Sequence, residues 1–334
     1  MHHAHSAHHL RVARVSLRAV VRVPASTSNF GAGVDCIGAA VDRWLIASVI
    51  VHREPHATTT VQRGGTLAAL DVAPDADWIA IGVNAACRAA GRVTPRALRI
   101  RTSSQIPVAR GLGSSAAAIV AGATAATGIL GFSLTDDELL DACAEVEGHR
   151  HTVAAAIFGG VQVAAPGTPR RATTLVVANG LSLAFAVPDL SVETRQARRA
   201  SPVERSHVTL EQGMSFGDAL VHGLTTGDAE VLRAALDENA NAASRRMDIR
   251  GFDLVCSAAR QAGAFGATLS GSGSSVVAVV PERHAAAVTE AMCAAWRQQS
   301  VSAEGFVNPS QVDGRSMVVH HDCEDVPASA GAAG

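Results

Sequence analysis

The sequence predicts an α+β fold in two domains. Its 334 residues are enough for two domains of ordinary size, and a hydrophobic content of 48% is typical of a folded chain rather than a disordered one. Stretches typical of strands and of helices follow one another without the strict alternation of a doubly wound sheet. Pro and Gly cluster at Ala165–Ala172, where we place the domain boundary.

Both ends of the chain are predicted to be disordered. The start, MHHAHSAHHL, is rich in histidine and lacks the apolar core of a signal peptide, and the end is DVPASAGAAG. The nearby HHDCED could ligate a metal, although a solvated chain end is the simpler interpretation. The predicted parts are a tail at 1–14, an N-terminal domain at 15–168, a C-terminal domain at 169–322 and a tail at 323–334.

In the N-terminal domain, β-branched runs predict strands, and helical patterns follow them. The strands are RAVVRVPAS, WLIASVIVHR and ALRIRTSS, and the helices are DWIAIGVNAACRAAG, SSAAAIVAGATAATGIL and TDDELLDACAEVEG. In the last helix Thr135 and Glu138 form a capping box. No charge occurs from Gly111 through Thr135, but this stretch is made of small residues, which predicts a tightly packed helix rather than a membrane span.

The C-terminal domain repeats the mixture of strands and helices. The predicted strands are ATTLVVAN, LSLAFAVP and SSVVAVVP, and the predicted helices span Phe216 to Asn239, Phe252 to Ala262 and a stretch from Glu282 onward. No internal repeat relates the two halves.

The composition excludes several classes of function. The formal net charge of -2 gives no global field toward nucleic acid or an anionic membrane, so we expect neither as a partner. All 28 basic residues are arginine, and therefore no lysine can form a Schiff base or bind phosphate as a point charge. The six cysteines contain no CxxC pair, which predicts reduced thiols in a cytoplasmic protein rather than a zinc site or a disulfide framework.

The strongest chemical signal is PVARGLGSSAAA, Pro107–Ala118, which we call the phosphate loop. Gly111 and Gly113 allow backbone N–H groups to turn toward one point, and a predicted helix begins directly after them. The unsatisfied amides and the positive dipole end of that helix form an anion site. No Gly-Lys-Ser/Thr follows, so the loop is not a Walker A motif, and backbone, serine, arginine and a metal are left to neutralise the phosphates. A glycine-rich turn before a packed helix is the structural alternative.

Two further glycine- and serine-rich segments flank the phosphate loop. They are VPASTSNFGAGVDCIGAA at Val23–Ala40 and GAFGATLSGSGSSVVAVV at Gly263–Val280. In this order the three segments resemble the motifs of the GHMP kinase superfamily, named for galactokinase, homoserine kinase, mevalonate kinase and phosphomevalonate kinase. The closest resemblance, over about Val21 to Val280, is to the homoserine kinase family, because the first segment of this chain resembles that family's pattern ATSANLGPGFDCLG.

This resemblance implies a fold and a reaction. The N-terminal domain would be like domain 2 of ribosomal protein S5 and would bind ATP, and the C-terminal domain would be a ferredoxin-like α/β sandwich. The implied cofactors are ATP and Mg²⁺, and the reaction is transfer of the γ-phosphoryl group to the side-chain hydroxyl of L-homoserine, in threonine biosynthesis. The ATP-binding residues would be Pro107, Val108, Ala109, Arg110, Gly111, Leu112, Gly113, Ser114, Ser115, Ala116 and Ala117. The resemblance leaves a homodimer open, since dimers are common in the family.

Substrate residues follow from the same resemblance. Asn29 and Asp35 match positions that hold the amino and hydroxyl end of homoserine, and a carboxylate and an amide oxygen suit an ammonium group. Asp35 could instead cap a turn. Thr194 and Arg198 match a Thr-x-x-x-Arg segment, in which the guanidinium can bind the α-carboxylate in a bidentate fork. The segment departs from the family where Ser-Pro replaces Leu-Pro. Gly271, in the third segment, is also assigned to the substrate.

The second arginine that would bind the substrate carboxylate, and the metal ligands, match the family pattern less directly. The stretch SRRMDIRGF offers Arg245 or the next arginine, but the family's Ile-Pro-Gly turn is altered there, and an exposed arginine at a helix end is an equal alternative. For magnesium, the matching residues are Ser115 and Glu145. Glu147 lies two residues further on and is the alternative ligand, while either acid could simply lie on a helix surface.

The segment AEVEGHRHTVAAAIFGG, Ala144–Gly160, departs most from the family. Homoserine kinases typically read Glu-Gly-His-Pro-Asp-Asn-Val-Ala-Pro, whereas here His151 and Thr152 stand where Asp and Asn are expected. The Asn position is close to the substrate hydroxyl, and the Asp position is the base in other superfamily members. Thr152 keeps a donor and an acceptor, and His151 could accept a proton near neutral pH. We therefore assign the catalytic positions to His151 and Thr152.

This altered segment leaves two alternatives to homoserine phosphorylation. One is a related GHMP kinase that acts on another small amino-acid alcohol or metabolite. The other is a catalytically silent nucleotide-binding homologue. The glycines of the phosphate loop are all present, which favours an active kinase, because phosphoryl transfer depends mostly on positioning and electrostatics.

Overall fold

The computed structural model describes residues 14–28, 36–52, 54, 56–164, 171–190, 210–236, 249–309 and 311–324. These residues form two β-sheets with helices packed beside them. The first sheet contains β1 (Arg14–Ser28), β2 (Ile37–Val51), β3 (Thr60–Gly65), β4 (Leu98–Ser104), β5 (Val161–Val163), β6 (Thr173–Leu175) and β11 (Ser316–Glu324). Its order is β11-β1-β2-β4-β3, with β5 beside β2 and β6 beside β5. Only the β3–β4 pair among these is parallel.

Helices α2 (Ser114–Leu130) and α4 (Arg150–Phe158) pack on the first sheet, and α1 (Trp78–Ala89) and α3 (Asp136–Glu147) pack against α2. Alternate residues of β1, from Ala19 to Ala25, are fully buried, as expected for a strand with one covered face. The predicted capping box at the start of α3 is confirmed: Thr135 accepts from the backbone N–H of Glu138, whose side chain returns to the Thr135 N–H.

Helices α1 and α2 cross where each has a glycine. A Cβ added to Gly82 would lie 2.1 Å from the carbonyl oxygen of Ile119, and one added to Gly122 would lie 1.9 Å from that of Ile79. The two backbones therefore touch directly. This packing explains why α2 is built from small residues and is buried along most of its length. No helix among the described residues is long and apolar enough to cross a membrane.

The second sheet consists of four antiparallel strands in the order β10-β7-β9-β8. They are β7 (Leu181–Pro188), β8 (Gly266–Leu269), β9 (Val276–Pro281) and β10 (Ala303–Asn308). The helices of this domain are α5 (Leu210–Thr226), α6 (Ala229–Ala235), α7 (Phe252–Gln261) and α8 (Ala285–Gln298). This strand order, with helices between β7 and β8 and between β9 and β10, is the predicted ferredoxin-like arrangement.

The two faces of the second sheet enter different cores. Phe185 on β7 and Val279 on β9 belong to one core together with the buried residues of the first domain. Ala184 and Ala278 point the other way and pack with α7 and α8 around Trp296. Because side chains alternate along a strand, the same two strands attach the second domain to the first and support its own helices. The α+β class is confirmed.

The structure adds one helix and corrects two sequence expectations. The segment that begins at Arg150, for which no helix or strand is predicted from the sequence, forms the helix α4. The single helix predicted from Phe216 is two helices, because Gly227 has a positive φ of 76° and Asp228 caps α6. The HHDCED stretch is not a solvated chain end as far as Glu324, because β11 runs antiparallel to β1 in the first sheet. Strands β6 and β11 pair in the first sheet although most of their residues fall within the predicted C-terminal domain, and the domain boundaries themselves stay predictions.

Candidate active site

The three glycine- and serine-rich segments meet at one place between the two sheets. The backbone N–H of Ser26, at the end of β1, donates to the carbonyl of Leu112 in the phosphate loop over 3.1 Å. The N–H of Gly271, after β8, donates to the carbonyl of Ser28 over 2.8 Å. Segments far apart in the sequence are thus joined through backbone hydrogen bonds, and Gly271 lies where the third segment meets the first.

Ser270 joins all three segments through its side chain. Its hydroxyl donates to the carbonyl oxygen of Gly111 over 2.7 Å and lies 2.8 Å from the hydroxyl oxygen of Thr27. Ser270 is completely buried. Our sequence assignment included neither Ser270 nor Thr27. Both lie within the segments that it identified, but nothing local to the sequence shows which serine would turn toward the loop.

The glycines of the phosphate loop are required by its conformation. Gly111 and Gly113 have positive φ angles of 73° and 67°, which side-chain-bearing residues rarely adopt. A Cβ on Gly111 would lie 1.9 Å from the carbonyl oxygen of Ser270, and one on Gly113 would lie 2.1 Å from the Ser26 hydroxyl. Helix α2 then begins at Ser114, so that its first N–H groups lack intrahelical carbonyl partners. This geometry is suited to an anion.

Arg110 does not direct its guanidinium to this anion site. Its Nε donates to the carbonyl of Pro188 over 3.0 Å, and its terminal nitrogen lies 3.0 Å from a carboxylate oxygen of Asp189, both at the end of β7. The Arg110 carbonyl also accepts from the N–H of Ser275 over 3.3 Å. The side chain therefore anchors the phosphate loop to the second domain.

The acid beside the phosphate loop is Glu147, whereas Glu145, the residue first matched to the metal, lies on the exposed surface of α3. The Ser115 hydroxyl donates to one Glu147 carboxylate oxygen over 3.2 Å, and Glu147 is only 8% exposed. The side chain of Glu145 is 69% exposed and pairs with Arg88 on α1 over 3.1 Å. Glu147 continues the buried stripe of Leu140 and Cys143, so the helical period was the sequence signal that distinguishes the two acids.

His149 contacts the Glu147 carboxylate oxygen that Ser115 does not contact. Its Nδ1 is 2.9 Å from the second carboxylate oxygen. Gly148, with φ 86° and ψ -5°, ends α3 between these two residues, and His149 is the residue from which α4 begins. His149 matches the histidine of the family's Glu-Gly-His pattern, for which the sequence alone indicates no role.

The predicted catalytic residues lie in the first turn of α4. The Thr152 hydroxyl donates to the carbonyl of His149 over 2.7 Å, which leaves the oxygen lone pairs as acceptors. His151 is 1% exposed, and its ring centroid is 5.9 Å from that of His149 in an edge-on arrangement. A Cβ on Gly38 would lie 2.3 Å from the His151 carbonyl oxygen, so this turn packs against β2. Neither residue's catalytic role is tested by this geometry.

The other substrate residues lie outside the described residues. These are Asn29, Asp35, Thr194, Arg198 and Arg245. Their roles stay predictions from the family resemblance.

Fold and site together define a small-molecule kinase of the GHMP type, and comparisons with known proteins agree. The model of the GHMP kinase N-terminal domain matches residues 79–160, and that of the GHMP kinase C-terminal domain matches residues 220–298. A homoserine kinase from Trichormus variabilis is 34% identical over 284 residues, which cover 85% of this chain and 93% of the relative. One from Prochlorococcus marinus is 31% identical over 90% of this chain and 95% of its own length.

Solved structures support the same assignment. The crystal structure of a homoserine kinase from Cytophaga hutchinsonii has a TM-score of 0.79 and 25% identity, covering 90% of this chain and 97% of that one. A Methanococcus jannaschii mevalonate kinase, 14% identical with a TM-score of 0.62, covers 86% of this chain and 97% of its own, and shares the fold. The chain belongs to the homoserine kinase family of the GHMP kinases. The recognition from sequence is thereby confirmed.

The close contact at Gly111 can be tested with a matched pair of glycines. We expect Gly111→Ala to lower turnover roughly 100-fold, because the added carbon displaces the loop from Ser270. Gly131 also has a φ of 67°, but a Cβ there meets nothing within 4 Å. Gly131→Ala should therefore cost about 1 kcal/mol of stability from backbone strain and leave turnover unchanged. Steady-state ATP kinetics and thermal unfolding measure both, and equal activity of the two variants would contradict the assignment.

Proposed function

We propose that the chain is a homoserine kinase, which transfers the ATP γ-phosphoryl group to the side-chain hydroxyl of L-homoserine and forms O-phospho-L-homoserine for threonine biosynthesis. The observation that carries this proposal is the phosphate loop, with α2 beginning at Ser114 and Glu147 beside Ser115. The curated relatives that bear the name cover nearly the whole chain. Because the reaction uses ATP and a small metabolite, we place it in the cytoplasm.

Magnesium is part of this proposal, and the residues present fit it. The Ser115 hydroxyl and the Glu147 carboxylate are hard oxygen donors 3.2 Å apart at the start of α2. Mg²⁺ commonly takes one or two protein ligands and completes its shell with phosphate oxygens and water. No group of three or more His, Cys, Asp and Glu side chains suited to a metal occurs in the part of the chain that the structure describes. A two-ligand site therefore suits this chain.

The chain's own residues would act mainly by positioning and electrostatics. The N–H groups at the start of α2 would bind the phosphates and stabilise charge on the transferred group. Bound Mg²⁺ would supply further neutralisation of the phosphate charge. On the acceptor side, Asn29 and Asp35 would hold the amino end of homoserine, and Thr194, Arg198 and Arg245 would hold its carboxylate. Gly271 would let the backbone approach the substrate closely.

His151 and Thr152 would act at the acceptor hydroxyl. Thr152 can accept a hydrogen bond, since its own proton is directed to the His149 carbonyl. His151 would take the hydroxyl proton as it is transferred, which its imidazole can do near neutral pH. The proposal for His151 depends on its position in the family pattern.

The proposed reaction predicts which alcohols release ADP. With ATP and Mg²⁺, we expect homoserine to give rapid ADP release, and serine, threonine and mevalonate to give little. The hydroxyl of serine and threonine lies one carbon closer to the charged end groups, and mevalonate has no amino group. A coupled ADP assay measures all four. Faster release with another alcohol would support a related kinase, and ATP binding with no release on any alcohol would support a silent homologue.

The metal assignment predicts different effects at two neighbouring acids. Glu147→Gln should lower turnover at least about 100-fold and raise the Mg²⁺ requirement, because an amide replaces a charged ligand beside the phosphates. Glu145→Gln should change neither, since its exposed pair with Arg88 contributes little. Turnover as a function of free Mg²⁺ distinguishes them. A larger effect at Glu145 would reverse the assignment.

The base role of His151 predicts a change in the pH profile. If His151 accepts the hydroxyl proton, turnover should depend on the protonation of its imidazole, because only the neutral ring accepts a proton. In His151→Ala the rate should be lower and this dependence on pH should disappear. Because His151 is buried, thermal unfolding and ATP binding must first establish that the variant is folded. Full turnover of a folded variant between about pH 6 and 9 would refute the role.

A further inference from the structure

His149 is placed to control the orientation of Glu147. The Glu147 carboxylate lies between two hydrogen-bonding groups, the Ser115 hydroxyl at 3.2 Å on one oxygen and His149 Nδ1 at 2.9 Å on the other. A carboxylate held at both oxygens has little freedom to rotate. Its orientation thus depends on His149 as much as on Ser115.

The local backbone makes such support necessary. Glu147 is the last residue of α3, where the negative end of the helix dipole disfavours a carboxylate, and it is buried. A buried carboxylate needs hydrogen-bond donors to remain charged at low cost. His149 lies two residues further on and can supply a donor from Nδ1–H. The αL turn at Gly148 brings its ring back to the end of α3.

The position of His149 is itself fixed by α4. Its carbonyl accepts the Thr152 hydroxyl at 2.7 Å and the N–H of Val153 at 3.3 Å. Both bonds come from the first turn of the helix. His149 is therefore held at the junction of two helices, and its imidazole can act as a rigid support for the carboxylate beside it.

We propose that His149 is a positioning residue, which fixes the Glu147 carboxylate in the orientation that binds the metal of Mg·ATP. This rests on the proposed function only in so far as Glu147 and Ser115 hold the metal. Hydrogen bonds from neighbouring groups commonly orient metal ligands, and their loss costs about 10- to 100-fold in metal affinity or activity. His149 acts through Glu147 and does not touch the reacting atoms.

Two amide substitutions test this geometry. In His149→Asn the side-chain nitrogen is bonded to Cγ, as Nδ1 is, so the donor to Glu147 is kept. In His149→Gln the amide reaches toward the position of Nε2 and the donor is lost. His149→Ala removes the ring altogether. The measurement is the dissociation constant of ATP by titration calorimetry without acceptor, in EDTA and in excess Mg²⁺.

We expect His149→Gln and His149→Ala to weaken Mg·ATP binding about 10- to 100-fold and to leave metal-free ATP binding unchanged. His149→Asn should restore most of the Mg·ATP affinity. Equal affinities for the Asn and Gln variants, or a His149→Ala protein with wild-type Mg·ATP affinity, would overturn the proposal. If the His149→Ala protein is unfolded, the difference in Mg·ATP affinity between the Asn and Gln variants tests the proposal.

The two proposals fail in different ways. A wild-type protein that binds Mg·ATP but releases no ADP with homoserine would overturn the assigned substrate, and the calorimetric comparison would still test His149. Conversely, ADP release with homoserine together with unchanged Mg·ATP binding in the variants would remove the role of His149 alone.

Discussion

The hydrogen bond from the Ser270 hydroxyl to the Gly111 carbonyl is the constraint on which the site depends. It joins residues 159 positions apart over 2.7 Å and connects the phosphate loop to the second domain. Glycine at position 111 is required for it, because any Cβ would meet the Ser270 carbonyl. Closing so long a segment of chain costs entropy, which the core shared by β7, β9 and the first domain offsets. This hydrogen bond therefore fixes the position of the phosphate loop relative to the second domain.

The local parts of the site could be predicted from the sequence, and the parts made by distant contacts could not. Glycine spacing before an uncharged helix indicates an anion site, because both the positive φ angles and the free helix amides are local properties. The direction of the Arg110 side chain depends on a contact with the end of β7. Its partner there, Pro188, lies 78 residues further along the chain. The pairing of β11 with β1, which places Glu324 opposite Arg14, is likewise a contact between residues far apart in the sequence.

Helix α4 shows a second limit of sequence interpretation. Its residues from His151 to Ile157 are buried without interruption, so no polar stripe marks a helical period. Its start also lacks a side-chain cap, and the expected Pro and Asp of the family pattern are absent. By contrast, α3 has a polar face, a capping box and a glycine end, and all three signals were present in the sequence. The same amphipathic period would have selected Glu147 over Glu145.

Charge compensation is the physical reason for the role that we propose for the orientation of the Glu147 carboxylate. The chain has no lysine, and the guanidinium of the arginine in the phosphate loop is bound to Pro188 and Asp189. In the loop itself, the positive potential for the phosphates therefore comes from backbone N–H groups and the dipole of α2, which together amount to about half a charge. A triphosphate carries several negative charges, so the proposed Mg²⁺ would supply much of the remaining positive charge. Its proposed protein ligands at this helix are the Ser115 hydroxyl and the Glu147 carboxylate, so a rotation of Glu147 would remove one of the two.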